Sequence, residues 1–494
     1  MSAPSDTEST GDTGDSRADR SFFGQPSMLS ALFGVEMWER FSFYGMQGIL
    51  LIYLYYSVAE GGLGIPQATA TGIVGAYGGL VYLSTIVGTW LADRVLGAER
   101  TLYWSAIVVM VGHIALAVLP GLLGVGVGLV LIALGSGGVK GNATTLVGTL
   151  YAPGDERRDA GFSLFYLGIN LGALVGPLLT GLLQTVAGFH VGFGLAAVGM
   201  ALGLVQYSLR RRHLPESAHE VPSPLSATER PRTIVLAAVA LVVIVVLAVT
   251  GVLGADRLDL AVIVVTIAAS VGYFVLLLTS RKVSAVERRR VLAFIPLWIA
   301  SAAFWSLYQQ QFTVVTLYSA ERLDRNLFGW DFPVGWVQSI NPVFIIILSG
   351  VFAALWTKLG SRQPATPVKF GLGTAIMGVA FLLFLPMAGG GPNSAPLLGL
   401  VGILFVFTIA ELMISPVGLS VSTKLAPTAF RAQMVGLFFL SIALGTALSG
   451  TLAGFYTEES ETTYFGVLGA VAIAIGLLVI LTTPLLKRLM EGVR

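Results

Sequence analysis

Residues 36–45 read EMWERFSFYG, placing Glu36, Glu39 and Arg40 inside an apolar run that extends over residues 27–58. A helix that crosses a hydrocarbon core roughly 30 Å thick needs about 20 mostly apolar residues. Each charge at its centre costs about 2.5–3.5 kcal/mol on insertion scales. A span facing lipid does not carry three charges in five residues. This helix must turn them into a cavity rather than toward lipid. With about 100° per residue, Glu36 and Arg40 lie about 40° apart and Glu39 about 60° to the other side of Glu36. All three therefore point one way, with Tyr44 one turn further along.

The rest of the chain has the composition of the span around that stretch. Of 494 residues, 55% are hydrophobic and only 11% charged, and the mean hydropathy is +0.82. Runs of spanning length recur from end to end, whereas a transmembrane barrel would show alternating segments of about ten residues. The fold class is an all-α polytopic membrane protein. Its 60 glycines suit close helix contacts in lipid, with GxxxG spacing at Gly75–Gly79, Gly168–Gly172 and Gly172–Gly176. There is no cysteine, hence no disulfide or thiol chemistry. Residues 1–26 are polar, lack the apolar centre of a signal peptide, and read as a disordered cytoplasmic tail.

Apolar runs predict spans at 27–58, 68–93, 98–119, 122–150, 158–186 and 190–210, then a pair at 232–253 and 258–280. Six more follow at 288–319, 333–357, 370–388, 395–423, 432–456 and 463–486. A polar, proline-rich stretch, LRRRHLPESAHEVPSPLSATERPR (209–232), separates the first six from the pair. The domains are therefore a six-helix bundle over 27–212, a linker and two-helix insert over 213–287, and a second six-helix bundle over 288–494. With the N-terminus inside, the loops bearing Arg94, Arg100, Arg157, Arg158, Arg210–Arg212, Arg288–Arg290, Lys358, Lys424 and Arg431 fall on the cytoplasmic side. The outer loops keep only Arg257, Arg322 and Arg325, so both termini are expected in the cytoplasm. Two bundles with a site between them is a transporter plan.

Five charges fall well inside spans: Glu36, Glu39, Arg40, Lys140 and Glu411. Three acids and two bases sum to −1, so one bound proton makes the set neutral and easier to close into a dry state. This places a proton at the Glu36/Glu39/Arg40 cluster during a cycle. A fixed ion cluster fastening helices is the plainer alternative. Lys140 and Glu411 belong to opposite bundles and can form a pair that breaks when Glu411 is protonated or meets a substrate ammonium. Pro342 and Pro416 read as interior prolines that let gate helices bend. GSGGVKGN (135–142) lacks the GK[ST] core of a phosphate loop, so no nucleotide site is expected. No nucleophile–base or metal-ligand spacing is present, which argues against an enzyme or a metal site.

These residues carry a resemblance. Glu36–Gly45 resembles the ExxER signature of the proton-dependent oligopeptide transporters, a branch of the major facilitator superfamily. GTWLADRVLGAERTLYWSAIVVMVG (88–112), FSLFYLGINLGAL (162–174) and AELMISPVGLS (410–420) resemble three further signatures of that family, in order. The likeness runs from about residue 30 to 485, insert pair included. It implies the major facilitator fold and proton-coupled import of di- and tripeptides by alternating access. Glu36, Glu39, Arg40 and Glu411 would handle the proton. Tyr44, Tyr82, Lys140, Asn170, Trp305, Asn341, Glu411 and Phe438 would line the peptide site, with Glu411 toward the amino end and Lys140 toward the carboxylate end.

The chain also departs from that pattern. Gln47 and Gln309 stand where an arginine and an acid are frequent, implying a neutral gate contact. Phe43 replaces a second tyrosine, and Phe438 a bulkier aromatic. The expected partners are small peptides, protons and the bilayer, with no nucleic acid and no prosthetic group. The expected state is a monomer in the inner membrane, driven by the proton gradient. Two rivals are a same-fold carrier of another substrate (nitrate, a modified peptide or a natural product, possibly exported) and a non-transporting receptor or scaffold.

Overall fold

The computed structural model describes residues 21–152 and 154–492. Residues 1–20, most of the segment read as a tail, lie outside the described residues. The first bundle comprises α1 (Met28–Tyr55), α2 (Gln67–Leu91), α3 (Ala98–Val118), α4 (Gly121–Thr149), α5 (Arg158–Ala187) and α6 (Phe189–Arg210). The insert is α7 (Glu229–Val249) and α8 (Leu258–Thr279). The second bundle begins with α9 (Ala285–Tyr308), which continues through a 3₁₀ turn at Gln309–Phe312 into α10 (Val314–Glu321). It is completed by α11 (Ile340–Leu359), α12 (Thr366–Leu382), α13 (Leu397–Lys424), α14 (Arg431–Ala453) and α15 (Glu461–Leu481), followed by α16 (Thr483–Met490). Among the described residues, thirteen spans are long and apolar enough to cross a membrane. Charge-bearing α1, at 28 residues, is the further long helix.

In the first bundle α1 packs on α5 and α6, and α4 on α2 and α3. In the second α12 packs on α13 and α15, and α14 on α9. The bundles meet where α2 lies against α14. A Cβ added to Gly75 would sit 2.7 Å from Gly450 Cα, so only hydrogen at both positions lets these backbones touch. The insert reaches both bundles through α8, which lies against α2 and α14, and Asp259 accepts a hydrogen bond from Thr451. No residue of α7 is buried.

The polar linker is pinned rather than loose. Ser223 and Leu225 donate backbone bonds to Asp93 and Arg94 carbonyls at 2.9 and 3.1 Å. Arg211 Nε lies 2.6 Å from Oε1 of Glu99, a fully buried carboxylate at the start of α3. Gly97, with φ +83°, takes the linker's carbonyls so closely that a Cβ would meet His219 O at 2.9 Å. A side chain at Gly97 would need an unfavourable left-handed backbone and would push the linker away.

Two local expectations change. Pro342 stands at the third position of α11, where its missing N–H breaks no intrahelical bond, so it starts this helix instead of bending it. Pro416 does lie inside α13. The last span ends at Leu481. Pro484 then opens α16, whose Thr483, Leu486 and Met490 are buried while Lys487 and Arg488 occupy its last turn.

Candidate functional site

The bundles are bonded to each other at the end that carries the α1–α2 loop. Gln67 Nε2 donates to Tyr456 O at 2.6 Å. Trp336 Nε1 donates to Leu178 O at 2.9 Å, and Ser339 Oγ to Leu174 O at 2.7 Å. Tyr55 of α1 reaches Glu321 at the end of α10. Deeper in, Lys140 of α4, Asn170 of α5 and Glu411 of α13 stay only half-buried. Each keeps part of its surface accessible.

On the first bundle's side, Glu36, Glu39 and Arg40 are buried, as one helical face requires. Arg40 Nε lies 2.8 Å from Glu36 Oε1 and 3.1 Å from Glu39 Oε2. Ser136 Oγ on α4 donates to Glu39 Oε1 at 2.7 Å, joining the cluster to the helix that bears Lys140 one turn on. Glu36 Oε2 and Arg40 Nη2 are buried without a hydrogen-bond partner among the described residues. The triad thus retains unmet polar capacity in a dry place, as a group that gains or loses a proton would.

Lys140 makes no ion pair among the described residues. Its Nζ sits 4.2 Å from the Tyr82 ring centre and 5.5 Å from that of Phe43. The Arg40 guanidinium lies 5.8 Å from the same Phe43 ring, so both cations contact this phenyl. Such ring contacts hold an ammonium without neutralising it. Tyr44 is half-buried and stacks on Phe312 of the other bundle at 6.1 Å.

On the second bundle's side, Glu411 Oε2 accepts from Tyr308 Oη at 2.8 Å and from Asn341 Nδ2 at 3.5 Å. Asn341 Nδ2 also donates to Thr408 Oγ1 at 3.0 Å. Trp305 is buried edge-on to Tyr308, with ring centres 5.2 Å apart, and its Nε1 has no partner. Phe438 is buried against Gly418 of α13, which has no side chain to hold it off.

The sequence-selected residues therefore form two groups: Glu36, Glu39, Arg40, Lys140 and Tyr82 on one bundle, and Trp305, Asn341 and Glu411 on the other. Lys140 and Glu411 are not paired here. Asn170 spends its amide on its own helix, donating to Tyr166 O at 2.9 Å. Gln47 and Gln309 are both buried, yet no hydrogen bond joins them among the described residues, and Gln47 Oε1 is left without a partner. Sequence reading passed over Ser136 and Tyr308. Their only signals were i−4 spacing from Lys140 and i+3 spacing from Trp305.

The chain is similar to known proteins along nearly its whole length. A di-/tripeptide transporter of Lactococcus lactis subsp. cremoris is 41% identical over 497 residues, with 97% of this chain and 99% of the relative covered. The uncharacterized transporter YclF of Bacillus subtilis is 43% identical, covering 96% and 97%. A crystal structure of a mutant peptide transporter POT in complex with alafosfalin superposes with TM-score 0.91 at 45% identity, covering 95% of this chain and 97% of that one. The fold is thus the major facilitator arrangement expected from the charge and span pattern. The POT family model matches residues 99–471, which take in Lys140, Asn170, Trp305, Asn341 and Glu411, and with these relatives it establishes that the chain belongs to the POT family.

Proposed function

We propose that the protein is a proton-coupled symporter that imports di- and tripeptides by alternating access. The observation that carries this reading is the separation of Lys140 from Glu411. One bundle offers an ammonium with no carboxylate partner, and the other a carboxylate with no basic partner. A zwitterionic peptide laid between them satisfies both, its carboxylate toward Lys140 and its ammonium toward Glu411. The di-/tripeptide name of the Lactococcus relative agrees with this choice of substrate.

Binding such a zwitterion leaves the summed charge of the site unchanged, at −1 with every group ionised. A proton on the Glu36/Glu39/Arg40 cluster brings the loaded site to neutrality, the condition under which a dry occluded state is cheapest. Proton and peptide then cross together, the gradient supplies the driving force, and no prosthetic group takes part. With both termini in the cytoplasm, the bonded end faces outward and the accessible side of the site faces inward. This is the state that releases peptide inside a bacterial cell. The protein acts as a monomer in the cytoplasmic membrane.

Uptake of labelled dialanine into liposomes, with and without an inward proton gradient, tests the reading. Gradient-driven accumulation is expected, lost in Glu36→Gln and sharply reduced in Lys140→Ala. No uptake or exchange by folded protein would remove peptides as the substrate. Exchange without accumulation would remove the proton coupling.

A further inference from the structure

We propose that Tyr308 is a positioning residue that aims Glu411 at the amine of the substrate. The inference rests on the peptide-symport reading and names a residue that reading does not use. Both polar contacts of Glu411 go to one oxygen: Oε2 takes Tyr308 Oη at 2.8 Å and Asn341 Nδ2 at 3.5 Å. Oε1 has no partner among the described residues, and it is not among the buried polar atoms left unpaired. It is therefore accessible. A carboxylate gripped through one oxygen cannot swing freely, and its second oxygen is held out for an incoming donor.

Tyr308 is itself held firmly. Its ring stacks on Phe304 at 5.7 Å, stands edge-on to Trp305 at 5.2 Å and lies 6.5 Å from Phe407. Its hydroxyl is also 3.2 Å from Asn341 Oδ1, and Asn341 is tied to Thr408, which donates to Leu404 O at 2.9 Å. The chain Thr408–Asn341–Tyr308–Glu411 runs through α9, α11 and α13, all of the second bundle. It stays intact when that bundle rotates as a body. The grip on Glu411 is therefore present in whichever state meets substrate. The titratable groups that face Glu411 from the first bundle are Tyr44 of α1 and Tyr82 of α2.

Tyr308→Phe keeps the stacked ring and deletes only the hydroxyl. In liposomes at fixed pH, the KM for dialanine should rise about three- to tenfold, the effect of losing one hydrogen bond of ordinary strength. The change should fall on KM rather than on the maximal rate. In a Glu411→Gln background the same substitution should add nothing further. An unchanged KM, or an equal rise in both backgrounds, overturns the proposal. Infrared difference spectra give a readout that needs no substrate. The Glu411 carboxyl bands, assigned by subtraction of Glu411→Gln, should shift in Tyr308→Phe. If wild-type protein carries no dialanine, the peptide reading fails by itself. An unshifted Glu411 band then overturns the positioning role, and a shifted band sustains it.

Discussion

Tyr55 Oη donates to Glu321 Oε1 at 2.9 Å, tying α1 of one bundle to the end of α10 in the other. Both residues are half-exposed, so the bond contributes at the lower end of the range for charged acceptors, about 1.5 kcal/mol. That corresponds to roughly tenfold in an equilibrium between closed and open at this end. Tyr55→Phe is expected to shift the protein toward opening there by about that factor. Spin labels on the α1–α2 loop and on the loop after α10 would report it. An unaltered distance distribution would show that the bond does not hold the end shut.

Gly75 gives a sharper test of the same closure. Its nearest neighbours across the interface are backbone atoms, with Gly450 Cα at 2.7 Å and Gly450 N at 2.8 Å from a built Cβ. Backbone cannot step aside as a flexible side chain can. Gly75→Val should therefore leave the protein folded yet unable to reach the closed arrangement seen here. Transport should fall more than tenfold, with α2 and α14 separated in the same distance measurement. Normal uptake by Gly75→Val would mean that the contact is dispensable.

The two tests divide what the sequence made plain from what it hid. Span positions were legible because run length against bilayer thickness is a local property. The Glu36/Glu39/Arg40 face was legible because charge inside a span is rare enough to need a reason. Ser136 and Tyr308 were not legible, since serine and tyrosine are ordinary in such helices. Only folding shows that one meets Glu39 of α1 and the other Glu411 of α13. Gln47 and Gln309 suggested a mutual contact. The α9 helix gives way to a 3₁₀ turn at Gln309, placing that side chain beside Tyr82 and leaving Gln47 unbonded. The linker looked like a break because its composition is polar. Its carbonyls instead pack against Gly97 and its Arg211 pairs with Glu99, contacts invisible without the fold.

Stability is expected to depend on a pair that the transport cycle does not use. Arg322 and Glu461 are each 1% exposed, with Nε 3.3 Å from Oε1. Tyr456 Oη donates to the same oxygen at 2.9 Å, and Arg322 Nη2 reaches Met387 O at 3.0 Å. Removing one member strands the other charge, so Glu461→Gln should destabilise the second bundle by about 3–5 kcal/mol. Replacing both by apolar residues of similar size should recover much of that loss. Thermal unfolding in detergent decides the matter. Equal stability of the single variant and wild type would show that the pair is not buried in the membrane-embedded protein.

Lys140 yields the prediction closest to the substrate. Its ammonium rests on Tyr82 at 4.2 Å and Phe43 at 5.5 Å without a carboxylate partner. Cation–π contacts of this kind contribute about 0.5–2 kcal/mol, too little to replace a charge-assisted bond to a peptide carboxylate once one is offered. Lys140→Ala should raise the KM for dialanine at least tenfold. Dialanine amide, which lacks the carboxylate, should bind the wild type poorly and lose little more in the variant. Tyr82→Phe keeps the ring face under the ammonium and should alter the KM by less than about threefold. A parallel loss for dialanine and its amide on Lys140→Ala would mean that Lys140 acts on the bundle and not on the carboxylate. Selective loss for the free acid would tie the unpaired Lys140 ammonium to the carboxylate end of the peptide.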